Sequence, residues 1–231
     1  MTLSALTAQA PSQDSFATQV LSQLKQDILS GFYNPGEKLR MARLKERYNV
    51  GVSPLREALS QLLVEQLVVV ENQRGFKVHP TSQAELQDIY QTRAAIEALC
   101  VGQAIDLGDD AWEASILAAA HQLKKSALLL DDTLQNSQQW EKLHHNFHTA
   151  ICLGCQSPTL MQVRLGLYEK ASRYRNLWLK QHMVDNAVFD ANFKEHDDLV
   201  ETLLKRDKEK AVNMIRSHLL APYVLLKDSQ F

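Results

Sequence analysis

Apolar residues recur every three to four positions in Phe16–Leu29, where Val20, Leu21, Leu24 and Ile28 share one face, and this spacing predicts an amphipathic helix ended by Gly31. Asn34-Pro35-Gly36 reads as a turn. A short second helix is expected over Met41–Tyr48, with Leu44 and Tyr48 one turn apart. Ser53-Pro54 predicts a third helix, with Ser53 as N-cap and Pro54 at the first position, running to about Glu65 and burying Leu55, Leu59, Leu62 and Leu63. The period then changes. Residues 67–70 and 76–78 read as two β runs around a turn at 72–75 with a basic tip. After His79-Pro80-Thr81 the helical period returns, with helices expected near 83–107, 110–128, 135–154, 158–182, 186–205 and 207–225. The expected fold is therefore mainly α. A winged helix-turn-helix with a small β-hairpin wing occupies 15–80, an all-α bundle of six to seven antiparallel helices occupies 81–231, and residues 1–14 form a tail.

Composition narrows the function. The 231 residues suffice for two modest domains, and 45% hydrophobic with 23% charged residues is ordinary for a globular protein. No apolar run approaches the length of a membrane span, and the first residues lack the basic start and apolar block of a signal peptide. Three cysteines, an odd number, argue against a secreted disulfide framework and point to a reducing cytoplasm. Cys152-Leu153-Gly154-Cys155 has no second pair to make a zinc ribbon and no βαβ unit to make a redox site, so core thiols are expected. The net charge of −2 is uneven: residues 15–80 carry nine Lys and Arg against six Asp and Glu, whereas 81–231 are acidic. A basic front half suits a DNA module.

Within that module, Ser53 and Arg56 sit in the first turns of the third helix, where a helix in the major groove presents donors. Arg40, Arg43 and Lys45 add donors near the second helix, and Gln73, Arg74 and Lys77 add them in the wing, where Gly75 allows close backbone approach. The alternative for each is solvated surface charge, but clustering at three sites favours double-stranded DNA as the partner. The stretch from Gly36 to Leu62 and the wing at 67–78 resemble the GntR family of transcriptional regulators. The motifs at 88–98, 147–151 and 195–219 resemble the FadR-type, or FCD, sensory domain of one branch of that family. Where the family usually carries an arginine before the third helix, this chain has Val52, which shifts base readout toward Arg56.

His144 and His148 are four apart and so share a helical face, a spacing that lets two imidazoles hold one ion. The resemblance implies a metal held by Asp-x3-His and two later histidines. His148, His196 and His218 take the histidine positions and His144 replaces the aspartate. Four imidazoles favour a divalent metal such as zinc, or nickel, over magnesium or calcium. The competing reading is four histidines packed in a bundle. His145 is expected to be exposed, about 100° around the helix from His144. Arg93 resembles the family's cavity-facing arginine, which with a metal implies a small carboxylate effector. Arg173 and Arg175 are further carboxylate forks or else surface ion pairs, and being two apart they are not expected to point inward together. Tyr90 is either a cavity hydroxyl or a core aromatic. Within the branch the chain resembles repressors of glutarate and 4-aminobutyrate metabolism, which makes a dicarboxylate such as glutarate the expected effector.

Three functions follow from these features. The first is a homodimeric repressor on a palindromic operator, controlled by a carboxylate bound near the metal. The second is a regulator for which the metal itself is the signal. The third is a metal-dependent hydrolase with Glu195 as base, which would leave the DNA module without a task.

Overall fold

The computed structural model describes residues 13–71, 75–127, 134–179 and 186–227. The expected tail up to residue 12, and Gln73 and Arg74 of the wing, lie outside the described residues. Two compact units divide between Ser82 and Gln83.

The first unit is built on α1 (Gln13–Leu29), α2 (Met41–Tyr48) and α3 (Val52–Val64), with strands β1 (Lys38–Leu39), β2 (Val68–Val70) and β3 (Phe76–Val78). Leu24, Ile28, Leu44, Leu55, Leu59 and Leu62 form its core. Gly31 closes α1 at φ +72: its N–H donates to Ile28 and that of Phe32 to Asp27, so the last carbonyls are satisfied. Pro35-Gly36 then turns the chain, with Gly36 at φ +75, and the Glu37 N–H donates to the Asn34 carbonyl.

Two expectations are corrected here, and one is extended. The expected β2–β3 hairpin is present, and β1 pairs beside β3 to make the wing a three-stranded antiparallel sheet in the order β1-β3-β2. Lys38 and Leu39 emerge from the Gly36 turn directly opposite Lys77 and Phe76. The third helix starts at Val52 with Gly51 as N-cap and no side-chain cap, so Ser53 is not the cap. Pro54 is still accommodated, because the first N–H groups of a helix have no internal partner. Leu63 is 38% exposed rather than buried, because Leu55, Leu59 and Leu62 already define the core-facing side.

The second unit holds α4 (Gln83–Leu107), α5 (Asp110–Ala127), α6 (Leu134–Leu153), α7 (Pro158–Leu179), α8 (Asn186–Leu204) and α9 (Lys208–Leu226). Helix α4 is buried on several sides, packing against α6, α7 and α9, so its polar residues Arg93 and Glu97 lie inside. Ser157 Oγ accepts from Leu160 N at 3.3 Å at the start of α7, the capping that Ser157-Pro158 predicts. The end of α6 is riveted by Trp112, whose Nε1 donates to the Ile151 carbonyl at 2.9 Å. Gly108 and Gly154 leave room for the indole: a Cβ on either would lie 2.3 Å and 2.6 Å from it. Arg206 lies over the same ring and donates to the carbonyls of Ile105 and Gly108 at 2.8 Å each. Among the described residues no helix is long and apolar enough to cross a membrane.

Candidate metal centre and nucleic-acid interface

Helix α6 brings His144 and His148 to one face, α8 contributes His196 and α9 contributes His218. All four are buried. Their Nε2 atoms converge: His148 to His144 is 3.1 Å, His144 to His196 is 3.2 Å and His196 to His218 is 3.2 Å. Donors about 2.0–2.1 Å from a shared ion are separated by about 2.8–3.4 Å across octahedral and tetrahedral geometries, so these distances fit a single cation. The four ligand atoms all lie within 4.8 Å of one another.

Electrostatics keeps the imidazoles ready to ligate. Burial, and then the neighbouring imidazoles, push His144 and His148 well below the ordinary histidine range. Burial followed by the His218 charge lowers His196 to about 2. Neutral rings can give their lone pairs to a metal. His218 is oriented from outside: its Nδ1 lies 2.8 Å from Glu195 Oε2, which leaves Nε2 to face the cluster. The hydrogen bond from His218 lowers the Glu195 carboxyl in turn. His148 Nδ1 and His196 Nδ1 have no hydrogen-bond partner among the described residues. An open groove of about 620 Å³ between α8 and α9 reaches His218, with Glu195, Asp207 and Glu209 at its wall. It is an acidic approach to the centre and is distinct from the arginine side.

On the arginine side, Arg93 is buried and its Nε donates to Glu97 Oε1 at 2.8 Å. Arg175 pairs with Glu141. Both guanidiniums lie by the Tyr168 ring, 5.4 Å and 5.8 Å from its centroid. Both charges also help to lower His144, after burial and the neighbouring imidazoles. Tyr90 is fully buried, and its hydroxyl has no hydrogen-bond partner among the described residues although Arg175 and Arg93 act on it. Burial raises its pKa, so the phenol is kept neutral as a donor. Arg173 is tied elsewhere, to Glu85 Oε2 at 3.3 Å. Arg173 is buried too, but its guanidinium is held by Glu85 whereas Arg175 turns to Glu141 and Tyr168, so the two do not share partners. His145 is half-buried rather than exposed: its ring packs 4.0 Å from that of Tyr168, and burial lowers its pKa to about 4.

The sequence reading did not single out Glu97, Arg164, Glu141 or Tyr168. The signal within reach was the i,i+4 spacing of Arg93 and Glu97 in a helix with polar residues among its apolar face. Cys100, Cys152 and Cys155 are free thiols buried in the core.

In the first unit, α3 exposes Val52, Ser53, Arg56, Glu57 and Ser60 along one side while Leu55, Ala58, Leu59 and Leu62 are buried. Without a side-chain cap, its first N–H groups are available to a phosphate. Arg40, the N-cap residue just before α2, and Lys45 on α2 are exposed. Arg43 is exposed too, but its Nη1 donates to Glu37 Oε1 at 2.8 Å and its guanidinium lies 5.4 Å from the Tyr33 ring. Gly75 takes φ +117 at the wing, a conformation that favours glycine. Lys77 is half-buried opposite Lys38 in the sheet.

A helix-turn-helix with an exposed arginine on α3, ahead of a helical unit holding a buried histidine tetrad, has clear relatives. Residues 16–78 match the bacterial regulatory proteins of the gntR family, and residues 88–221 match the FCD domain. The chain belongs to the GntR family, in its FCD branch. This GntR-family chain is 43% identical over 206 residues to the HTH-type transcriptional repressor GlaR of Escherichia coli (strain K12), covering 89% of this chain and 93% of that one. It is 32% identical over 209 residues to an uncharacterized HTH-type transcriptional regulator, BphR, of Paraburkholderia xenovorans (strain LB400), covering 89% and 82%. Among solved structures it resembles E. coli McbR/YncC with a TM-score of 0.76 at 20% identity, covering 92% of this chain and 97% of that one, a likeness of fold. The protein is a DNA-binding transcriptional regulator and not an enzyme.

Proposed function

We propose that this regulator is a homodimeric repressor of a palindromic operator, and that a small carboxylate bound beside a divalent metal in the C-terminal unit sets its grip on DNA. His144, His148, His196 and His218 would hold the ion. An all-nitrogen donor set favours zinc, with nickel as the next choice, over oxygen-seeking magnesium or calcium. Arg40, Arg43, Ser53, Arg56, Gln73, Arg74, Gly75 and Lys77 would carry the DNA contacts. The name of the relative GlaR supports repression.

The observation that carries the effector reading is the charge balance around the tetrad. Arg93, Arg164 and Arg175 stand against three carboxylates, Glu97, Glu141 and Glu195. A bound divalent ion leaves that balanced set with an excess of two positive charges, which a dicarboxylate such as glutarate offsets. One carboxylate can face the ion while Arg93, Arg175 and the Tyr90 hydroxyl, which has no hydrogen-bond partner among the described residues, supply donors for the other. The ion itself contributes positive charge at a fixed point, and Arg173, held by Glu85, takes no part.

The test is a thermal-shift screen of small carboxylates with and without chelator. A diacid present at about 100 times its dissociation constant adds about 2.7 kcal/mol, and chelation should abolish the gain. If no carboxylate moves the midpoint, or if the shift survives chelation, the reading fails. The four-histidine set supports one other reading, because four protein ligands complete a closed tetrahedral site. A regulator sensing the metal alone would change its operator affinity on zinc titration without any organic acid.

A further inference from the structure

The tetrad and the arginines sit on different helices, and one residue borders both. Glu97 on α4 is wholly buried. Its Oε1 accepts from Arg93 Nε at 2.8 Å. Its Oε2 lies 3.3 Å from Arg164 Nε, 3.9 Å from Cys152 Sγ and 3.7 Å from His148 Nδ1. His148 Nδ1 has no hydrogen-bond partner among the described residues, while Nε2 of the same ring faces the tetrad.

A neutral imidazole that gives its Nε2 lone pair to a cation must carry its proton on Nδ1, and the cation makes that N–H a stronger donor. For His148 the carboxylate within reach is Glu97 Oε2. Closing 3.7 Å to an ordinary hydrogen bond of about 2.9 Å takes a shift of under about 1 Å. A carboxylate is planar and rigid, so a movement of Oε2 toward His148 carries Oε1, and the Arg93 it holds, along with it. A simple counter-ion for two arginines would need neither this placement nor this orphaned neighbour. His218 differs in that its outer partner, Glu195, is already at 2.8 Å and half exposed, and therefore transmits nothing inward.

We propose that Glu97 is a positioning residue that couples the two halves of the sensory site: one oxygen orients His148 for the cation, the other fixes Arg93 for an anion, and cation loading thereby presets the arginine. This rests on the tetrad being a metal centre. The coupling is reciprocal, so an anion on Arg93 tightens the cation by the same factor.

Full-length protein labelled with 15N in arginine and histidine is titrated with zinc alone, with Arg93 assigned through Arg93→Lys. In the wild type, the Arg93 Nε–H resonance should move as zinc binds, and a slowly exchanging His148 Nδ1–H signal should appear. Glu97→Gln keeps the shape but has one acceptor oxygen for two tasks. It should bind zinc about 10-fold or more weakly, and its Arg93 signal should no longer respond. Glu97→Asp keeps the charge with a shorter reach, covers the case in which the glutamine variant does not fold, and should also weaken zinc binding. The inference is overturned, with the metal centre intact, if zinc binds the wild type without moving Arg93 or if a folded variant keeps wild-type zinc affinity. A wild type that takes up no zinc removes the metal centre instead.

Discussion

Acidifying the metal-free protein from pH 7.5 to 5.5 should destabilise its C-terminal unit steeply, and the size of the effect follows from the tetrad. His144 and His148 are held well below the ordinary range by burial and by neighbouring imidazoles, and His196 falls to about 2 for the same reasons. In the unfolded chain each titrates near about 6.5. Between the folded and unfolded values the unfolded chain binds protons that the folded one refuses. Stability is therefore full above about pH 6.5 and is lost as the pH drops below it. Each imidazole contributes a limiting slope of about 1.4 kcal/mol per pH unit, so three give roughly 4 kcal/mol by pH 5.5. That is a large share of a typical domain stability of about 5–15 kcal/mol. His145, lowered to about 4 but half-exposed, adds a smaller loss of the same sign. The assay is urea unfolding followed by tryptophan fluorescence at a series of pH values. Trp112, Trp140 and Trp178 all lie beyond residue 82, so the signal reports the C-terminal unit. A midpoint that stays constant from pH 7.5 to 5.5 would refute the reasoning.

Two further outcomes test other parts of the account. Arg56→Ala should cost about 1–3 kcal/mol of operator affinity in a DNA-binding titration at fixed salt and relax the preference at one symmetric pair of bases, with no change in the melting of the C-terminal unit. Gly154→Ala puts a Cβ 2.6 Å from the Trp112 ring, so it should lower stability by about 1–3 kcal/mol, read as an earlier thermal midpoint; an unchanged midpoint would mean that the indole does not pin the end of α6.

The helical half was largely legible because its helices are long and their starts carry chemistry. The expected span 83–107 matches Gln83–Leu107, and Ser157-Pro158 marks the start of α7. The strand β1 was not legible, because two residues cannot display an alternation and their pairing with Phe76 and Lys77 is a tertiary event. At α3 the sequence offered Ser53 as a cap, but Gly51 in an extended conformation lets the helix begin at Val52 and turns Ser53 to the surface. Of the site, the histidines could be read from the i,i+4 spacing of His144 and His148 together with the later family positions. Glu97, Arg164 and Glu141 could not, since a charged residue in a helix reads as solvated until packing shows it enclosed. His145 was misplaced for the converse reason: leaving the face of His144 took it onto Tyr168 and not into solvent.

The central claim is that four imidazoles from three helices share one cation. An X-ray absorption spectrum at the zinc edge, recorded on full-length protein loaded with one equivalent of zinc, tests it most directly. The account predicts imidazole nitrogen scattering at about 2.0–2.1 Å with no sulfur shell, lost in His148→Ala. A sulfur shell at about 2.3 Å, pointing to the buried cysteines, or a spectrum indifferent to His148→Ala, would contradict it.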